Sequence, residues 1–590
     1  LICVDIETFD PNLIGNGPGV YRKDGYILGV GIATDKGFAE YFNLGHDGIK
    51  KEERAKNLEV IKGYLESDEP KLGTNLLYDL DWLINFEGLK VGGEWHDVQL
   101  AEPLIDENAR SYSLDTLSQK YLGIGKEKTR IQEICDNEGW RGDPRKHLFK
   151  MSHADVRDYV LGDVNNPLEI WKEQEATLKA EGLWELYTME RKLLPLYLYM
   201  RKNGVPIDVK KLEKNIETLE KTIDLEKEKL FQEYGFFNLN APRQKAKIMQ
   251  SLGIKVPLTD KGNPRTDKKV MGAIDHPFCK AYLGISSKEK VLTYMQKSLL
   301  GQVVDGKIHC SFHPLRGEKG GTVSGRFSSS NPNLQQVKAV RDTENPMDLG
   351  KMAREVFIPE NGGLWGKIDY SQIEYRIIAH YAMGPKSEDI RKAYQDDPKT
   401  DYHAWVMSIT GLPRKEAKVV NFGSAYSMGA RSLAENQGWS FEKASDILTL
   451  YHREVPFVKY TSNRVKDRAI DRDRESGEGF IKTILGRRAR ISEKMRKEGK
   501  QYSLFNRLIQ GSSADLLKKA LLNAWEEGIF HVLIPHLLVH DEIDLTIPDT
   551  EEGHKAYRRL KEIMEGCIEL KVPIIADAEI GPNWAEVKEY

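Results

Sequence analysis

The chain has 590 residues, several times the ~100–200 of a single domain, so two to four domains are expected. At 40% apolar and 30% charged it can bury sizeable cores, and no uncharged apolar run approaches the ~18 residues of a membrane span. Five scattered cysteines (Cys3, Cys135, Cys279, Cys310, Cys567) fit neither a disulfide framework nor a zinc site and point to a reducing compartment, while a net charge of −3 argues mildly against a nucleic-acid partner.

Residues 1–45 alternate β-rich runs (LICVDIETF, YILGVGIAT, FAEYFNLG) with Gly, Pro and Asn turns, the pattern of a strand meander. The first run carries Asp5 and Glu7, which excludes a secretory signal. It starts inside a strand without a Met, so a trimmed natural N-terminus is expected. Residues 53–170 read as mostly helical with one or two strands, closing an α/β domain near Trp171. Leu212, Ile216, Leu219, Ile223 and Leu230 fall at helical spacing and predict one long amphipathic helix over 209–234, half of a helical hairpin. Two loop stretches follow, LTDKGNP and RGEKGGTVSGRFSSSNPN. Beyond Lys367 the pattern is mixed α/β, and LLVHDEIDLTI alternates as two short strands around a tight turn. Between Arg464 and Lys500, 13 Lys/Arg stand against 7 Asp/Glu, which reads either as a solvated helical face or as a strip following a phosphate backbone.

Asp5 and Glu7, two residues apart on one strand, point to one face. Asp79 follows in TNLLYDLDWL, and Asp163 in DYVLGDVNN, four residues after Tyr159. Clustered carboxylates suit hard divalent cations and can hold two of them ~3.5–4 Å apart for phosphodiester cleavage. A lone D-x-E is weak evidence; D-x-E, N-x-x-Y-D and Y-x-x-x-D in that order are specific. The set resembles the DnaQ-like proofreading exonucleases at Asp5/Glu7, Asn75–Asp79 and Tyr159–Asp163, and HDVQLAEPLIDENARSYSLDTLSQKYLG is similar to that family too. The resemblance implies that Asp5 bridges two metals and that Asp79 and Asp163 complete the second metal site. It also implies that Glu7 and Tyr159 orient the attacking water.

KIDYSQIEYRIIAHYA reads as a strand entering a helix, with Asp369 at the junction, where a helix N-cap is the ordinary fate of an Asp. Asp541-Glu542 at the hairpin tip, about 170 residues later, is a second acidic centre. Two such centres on adjacent strand ends can hold two Mg²⁺ for in-line phosphoryl transfer. In RKEAKVVNFGSAY, Arg414, Lys418, Phe422 and Tyr426 recur every four residues as one helical stripe. Cations at one end and aromatics at the other suit a triphosphate and a base, and equally suit an amphipathic helix with snorkelling cations.

Together, DYSQIEYR, R-x-x-x-K-x-x-x-N-F-G-x-x-Y and VHDE resemble motifs A, B and C of family A DNA polymerases, the bacterial DNA polymerase I and phage replicase type. Similarity runs from about Met189 to Trp584 through MRKNGVPID, SGRFSSSNPNLQ, DYH, LGRRARI, NRLIQGSSAD and GPNW. The resemblance implies an α/β chain: a ribonuclease H-like 3′→5′ exonuclease domain over residues 1–175, then a right-hand polymerase over 176–590. The thumb is expected at about 200–300, the palm at about 305–380 and 510–590, and the fingers at about 381–509.

By position, the resemblance makes Asp369 and Asp541 metal-binding carboxylates, with the Tyr370 carbonyl as an extra ligand. It implies two Mg²⁺ per active site, with Mn²⁺ as a substitute. Arg414, Lys418 and His403 would hold the incoming triphosphate, with Lys418 as proton donor to pyrophosphate. Phe422 would pack on the nucleotide, and Tyr426 with Glu374 would wall off the ribose 2′ position. Arg326, Asn333, Gln335, Asn506, Gln510 and His540 resemble residues that contact primer, template or the minor groove, whose acceptors are nearly alike for every correct pair. The partners implied are primer–template DNA and dNTPs, for a monomer in the cytoplasm of a bacterium or phage-infected host, with no membrane. In that setting segment 464–500 is expected to face DNA.

Four places depart from the family pattern. QVKAVR replaces N-I-P-x-R, Tyr502 stands where Arg is common, Arg507-Leu508 replaces Ala-Pro, and Tyr375 replaces Leu. A single-subunit RNA polymerase is the nearest rival, and Glu374, Phe422 and the exonuclease motifs argue against it. The intact acidic sets argue against a non-catalytic relative.

Overall fold

Strand β1 (Ile2–Phe9) sends Ile2, Val4 and Ile6 into one apolar cluster and turns Cys3, Asp5 and Glu7 to the opposite face, as the two-residue period of a strand requires. The structure, a computed structural model, describes residues 1–125, 128–317, 320–425 and 428–590. β2 (Tyr26–Thr34), β3 (Ala39–Asn43), β4 (Lys71–Gly73) and β5 (Trp95–Asp97) complete a sheet of order β3-β2-β1-β4-β5. It is antiparallel from β1 through β3 and parallel from β1 through β5. Helix α1 (Leu76–Leu80) leaves β4, and α2 (His153–Ala180) crosses the face that carries Asp5 and Glu7. Gly31 stands opposite Asp5, and a Cβ there would lie 2.5 Å from Val160 Cγ1, so the bare backbone lets α2 rest directly on the strand. α2 runs through both Trp171 and residue 175, where the domain was expected to end, and stops at Ala180.

Helix α3 (Val209–Tyr234) buries the five predicted apolar positions and packs on α4 (Pro277–Thr293), the other half of a helical hairpin. Strand β6 (Leu364–Tyr370) then enters α5 (Ile373–Tyr381), and α6 (Tyr402–Thr410) and α7 (Arg414–Ala425) follow. A small hairpin, β7 (Phe480–Lys482) and β8 (Arg488–Arg490), precedes α8 (Ser503–Glu526), which is buried along most of its length beside α5. β9 (Ile534–Val539) and β10 (Glu542–Ile547) form the expected hairpin, and β11 (Ala576–Gly581) and β12 (Lys588–Glu589) close a second sheet of order β9-β10-β6-β11-β12, antiparallel throughout. One apolar core runs from Cys3, Leu72 and Trp171 at the first sheet to Trp365, Ile543 and Trp584 at the second. All five cysteines are free thiols, and among the described residues no helix is long and apolar enough to cross a membrane.

Within the basic segment 464–500, the hairpin arginines turn inward, while Arg464, Arg468, Arg474, Lys482 and Lys494 stay exposed. Arg487 is only 5% exposed and donates to Glu190 at 2.6 Å and to Asp515 at 2.9 Å. Lys518 shares Glu190 at 2.8 Å, and burial pushes its ammonium down to about 8. Arg488 and Arg490 both reach Glu181 at 2.8 Å, while Arg496, Lys497 and Lys500 pair with Asp473, Glu493 and Glu498. The reason is topological. The β7–β8 hairpin points its arginines inward, where carboxylates remote in sequence supply the countercharge. Glu107, 3% exposed, meets three arginines: its carboxylate accepts from Arg490 Nη1 at 2.9 Å and lies 3.6 Å from Arg507 Nη1, and its backbone carbonyl accepts from Arg316 at 3.2 Å.

Candidate active sites

The first acidic set is assembled by three elements. Asn75, at φ 61°, turns the chain from β4 into α1, and Asp97 fixes that turn by accepting the N–H groups of Asn75 (3.1 Å), Leu76 (2.8 Å), Gln99 (2.7 Å) and Leu100 (3.2 Å). Asp79 on α1 is 3% exposed and accepts the N–H of Ile6 at 2.9 Å, which ties it to β1 beside Asp5. From the other side, α2 brings Tyr159 and Asp163, one turn apart, onto the strand. Oxygens of Asp5, Glu7 and Asp163 lie within 4.8 Å of one another; Asp79 stands outside that trio. Burial, then the charge of Asp5, pushes the Asp79 carboxyl well above the usual range. Burial and then Glu7 hold the Tyr159 hydroxyl protonated far past its ordinary value. An all-oxygen donor set of carboxylates fits a hard cation such as Mg²⁺ or Mn²⁺. Nearby lies a cleft of about 410 Å³, lined by Asp5, Asn75 and Gln99 and by His313, Arg316 and Asn331 from later in the chain.

The second set lies on the second sheet. Asp369, near the end of β6, stands opposite Glu542 of β10 and Asp577 of β11, and the Tyr370 N–H reaches the Asp541 carbonyl at 3.4 Å. Asp369 is not a helix cap: Gln372, at φ 50°, holds that position, which leaves the Asp369 carboxylate at the sheet. His540, at φ 60° and exposed, forms the β9–β10 turn with Asp541. Left-handed backbone at a non-glycine residue costs ~1–3 kcal/mol and persists only where the surroundings impose it. Burial, then Asp541 and Glu542, pushes the Asp369 carboxyl up to about 8; burial raises Asp541 as well, against the guanidinium of Arg326. Such crowding of carboxylates is what a divalent counter-ion relieves, so this donor set also fits Mg²⁺. Lys367, on the same face as Asp369, pairs with Glu579 and lies 3.8 Å from Glu542, which accepts the Trp584 indole N–H at 3.1 Å.

Arg414, Lys418 and Phe422 lie exposed on one stripe of α7, as their spacing predicts; Tyr426 lies outside the described residues. Arg414 pairs with Asp401, which also caps α6 by accepting from His403 and Ala404. His403 is buried, which favours its neutral form, and its Nδ1 accepts from Asn421 at 2.8 Å. Phe422, 40% exposed, meets the edge of Tyr375 at 5.9 Å, and Tyr375 stacks on Tyr402 at 4.5 Å. The Tyr that departs from the family's Leu is thus an aromatic bed for Phe422.

Glu374, in the first turn of α5, accepts from Arg326 Nη2 at 2.7 Å, and the same nitrogen is 3.9 Å from Asp541. Gln335 donates to the Leu538 carbonyl at 2.9 Å and Asn333 accepts the Gln335 N–H at 3.0 Å, so both brace the strand that leads to the Asp541 turn. Asn506 and Gln510 lie half-buried on one face of α8. The fold therefore gathers Asp369, Asp541, Glu374 and Arg326 into one centre and Asp5, Glu7, Asp79, Tyr159 and Asp163 into another. Sequence reasoning missed Asp97 and Lys367, each with a usable signal: an Asp before the apolar run VQLAEPL, and a cation two residues before Asp369 on one strand. Glu107 and Glu190 carry no local signal, because their partners lie hundreds of residues away.

The profile of DNA polymerase family A matches residues 209–586. The chain is 30% identical to a DNA-directed DNA polymerase of Pseudomonas phage M6, over 99% of this chain and 93% of that protein. It is 28% identical to DNA polymerase I of Pseudomonas aeruginosa, over 99% of this chain and 63% of that protein. Its fold is similar, at a TM-score of 0.78 and 22% identity, to the POL domain of Pol1 from M. smegmatis, solved in complex with DNA primer-template and dNTP; the match covers 99% of this chain and 95% of that one. With the profile spanning more than half of its length and the phage relative nearly all of it, the chain belongs to DNA polymerase family A.

Proposed function

We propose that this DNA-directed DNA polymerase extends a primer 3′ end with dNTPs at the Asp369–Asp541 centre, and removes nucleotides from that end by hydrolysis at the Asp5–Glu7–Asp79–Asp163 centre. The observation that carries the reading is the pair of carboxylate sets on two separate sheets, with no ligand in common. At each centre the cations, when bound, supply Lewis acidity and charge neutralisation to phosphoryl transfer. At the first sheet Asp5, Glu7, Asp79 and Asp163 would hold them. Glu7 accepts from the attacking water and the neutral Tyr159 hydroxyl donates to it. At the second sheet Asp369, Asp541 and the Tyr370 carbonyl would hold them, and Arg414 and Lys418 take the triphosphate. Arg414 exchanges Asp401 for phosphate, and Lys418 gives a proton to the departing pyrophosphate. Phe422 packs on the base, backed by Tyr375, and Glu374 stands where the sugar C2′ passes. The two-carboxylate logic, the mixed first sheet and the DNA-bound fold neighbour support this reading.

A 3′-mismatched primer–template in Mg²⁺, with and without dNTPs, tests both activities at once. Asp5→Ala with Glu7→Ala should abolish excision and leave extension. Asp541→Asn should lower extension by at least ~10³-fold and leave excision. Equal loss of both activities in either variant would refute independent centres.

A further inference from the structure

The pairing of Arg326 with Glu374 goes beyond this reading. Both side chains are mostly sequestered, at 20% and 18% exposure, and the bond is charge-assisted at 2.7 Å, so this is not a solvent-swept surface pair. The Arg326 end is anchored through its loop. Arg326 follows Gly325, at φ 81°, where a Cβ would stand 2.7 Å from Arg487 Cζ, so the loop rests directly on the buried Arg487–Glu190–Asp515 network. The loop is fastened again where Thr322 Oγ1 donates to the Arg326 carbonyl at 3.0 Å. Glu374 is a three-torsion side chain in the first turn of α5. A carboxylate on so flexible a stem excludes a hydroxyl only if something holds it in place. Tyr426, expected to do so, lies outside the described residues.

We propose that Arg326 is a positioning residue for sugar selection: it fixes the Glu374 carboxylate against the 2′ position of the incoming nucleotide. The inference rests on the reading of Glu374 as the sugar-facing wall. Its geometry adds a second consequence, because the same Nη2 lies 3.9 Å from Asp541. Losing the guanidinium frees one carboxylate toward the sugar and removes a countercharge from another, so deoxynucleotide insertion should slow as well. The ratio of ribo- to deoxynucleotide efficiency cancels whatever slows both equally.

The test is single-nucleotide insertion on a primer–template with dCTP and rCTP, reading the ratio of their kcat/KM values. Arg326→Ala should raise the rCTP/dCTP ratio about tenfold, and Arg326→Lys, which keeps a charge of shorter reach, should fall between it and the parent. Glu374→Ala should raise the ratio at least as far. The double variant should match Glu374→Ala alone, because Arg326 acts through that carboxylate. A raised ratio in Glu374→Ala with an unchanged one in Arg326→Ala overturns the inference and leaves the wall intact. An unchanged ratio in both removes the wall itself. Additive effects in the double variant would mean that Arg326 meets the sugar on its own, which also overturns the inference. Should Arg326→Ala insert dCTP too slowly to measure, Arg326→Gln retains a donor without charge, and the same ratio decides.

Discussion

Two buried imidazoles set an acid limit on the fold. His536 donates from one ring nitrogen to the Gly204 carbonyl and accepts at the other from Thr546 Oγ1, both at 2.8 Å, and burial pushes it down to about 4. His96, packed against Trp171, is also pushed down to about 4, first by burial and then by Arg191. An unfolded His titrates near ~6.5, so between the two values the unfolded chain binds more protons than the folded one. The stabilisation is therefore complete above pH ~6.5 and is lost as pH falls toward 4, by ~3 kcal/mol for each residue. Thermal unfolding followed by circular dichroism should show the midpoint dropping across that window. His536→Asn, which cannot take up the charge, should start lower at pH 7 and drop less steeply. An unaltered slope would assign the acid loss to other groups.

At the scale of elements, Gly31 decides whether the Asp5–Glu7–Asp163 trio can form. In Gly31→Val the new side chain meets Val160 and Val164 of α2, and overpacking of this kind costs ~1–3 kcal/mol and displaces backbone. Tyr159 and Asp163 ride on that helix, so excision should fall at least ~10-fold while primer extension stays within ~2-fold of the parent. Equal excision rates would show that α2 does not set the trio. Much of this architecture was legible beforehand because its signals are local. Two-residue alternation placed Asp5 beside Glu7, heptad-like spacing drew α3, and a polar tip between apolar runs drew the Asp541 turn. What was not legible is pairing at a distance. Glu374 was assigned Tyr426 as its support, because both sit on recognised motifs; Tyr426 lies outside the described residues, and Arg326, read as a DNA contact, also bonds Glu374.

The largest departure belongs to the whole molecule. A local surplus of cations suggested a DNA-facing strip, yet Arg487 lies in a dry network with Glu190, Asp515 and Lys518, and Arg488 is braced by Glu181. Charge counted along the chain says nothing of which carboxylates fold against it. Arg487→Met would leave two buried carboxylates facing one ammonium, a loss of ~3–5 kcal/mol. The expected result is a clearly lowered unfolding midpoint together with an unchanged slope of log affinity against log salt for primer–template DNA. A slope flattened by about one unit would return Arg487 to the phosphates. Glu107 extends the same logic across the molecule, since its partners Arg316, Arg490 and Arg507 come from three separate stretches of the later chain. Heredity has to respect such a joint. A recombinant that takes its first 180 residues from a relative lacking this carboxylate would leave Arg490 to Glu181 and take from Arg507 its nearby countercharge, while Arg316, held by a backbone carbonyl, would keep its bond. The two sides of that joint are therefore coupled: a change at Glu107 alters what Arg490 and Arg507 can tolerate.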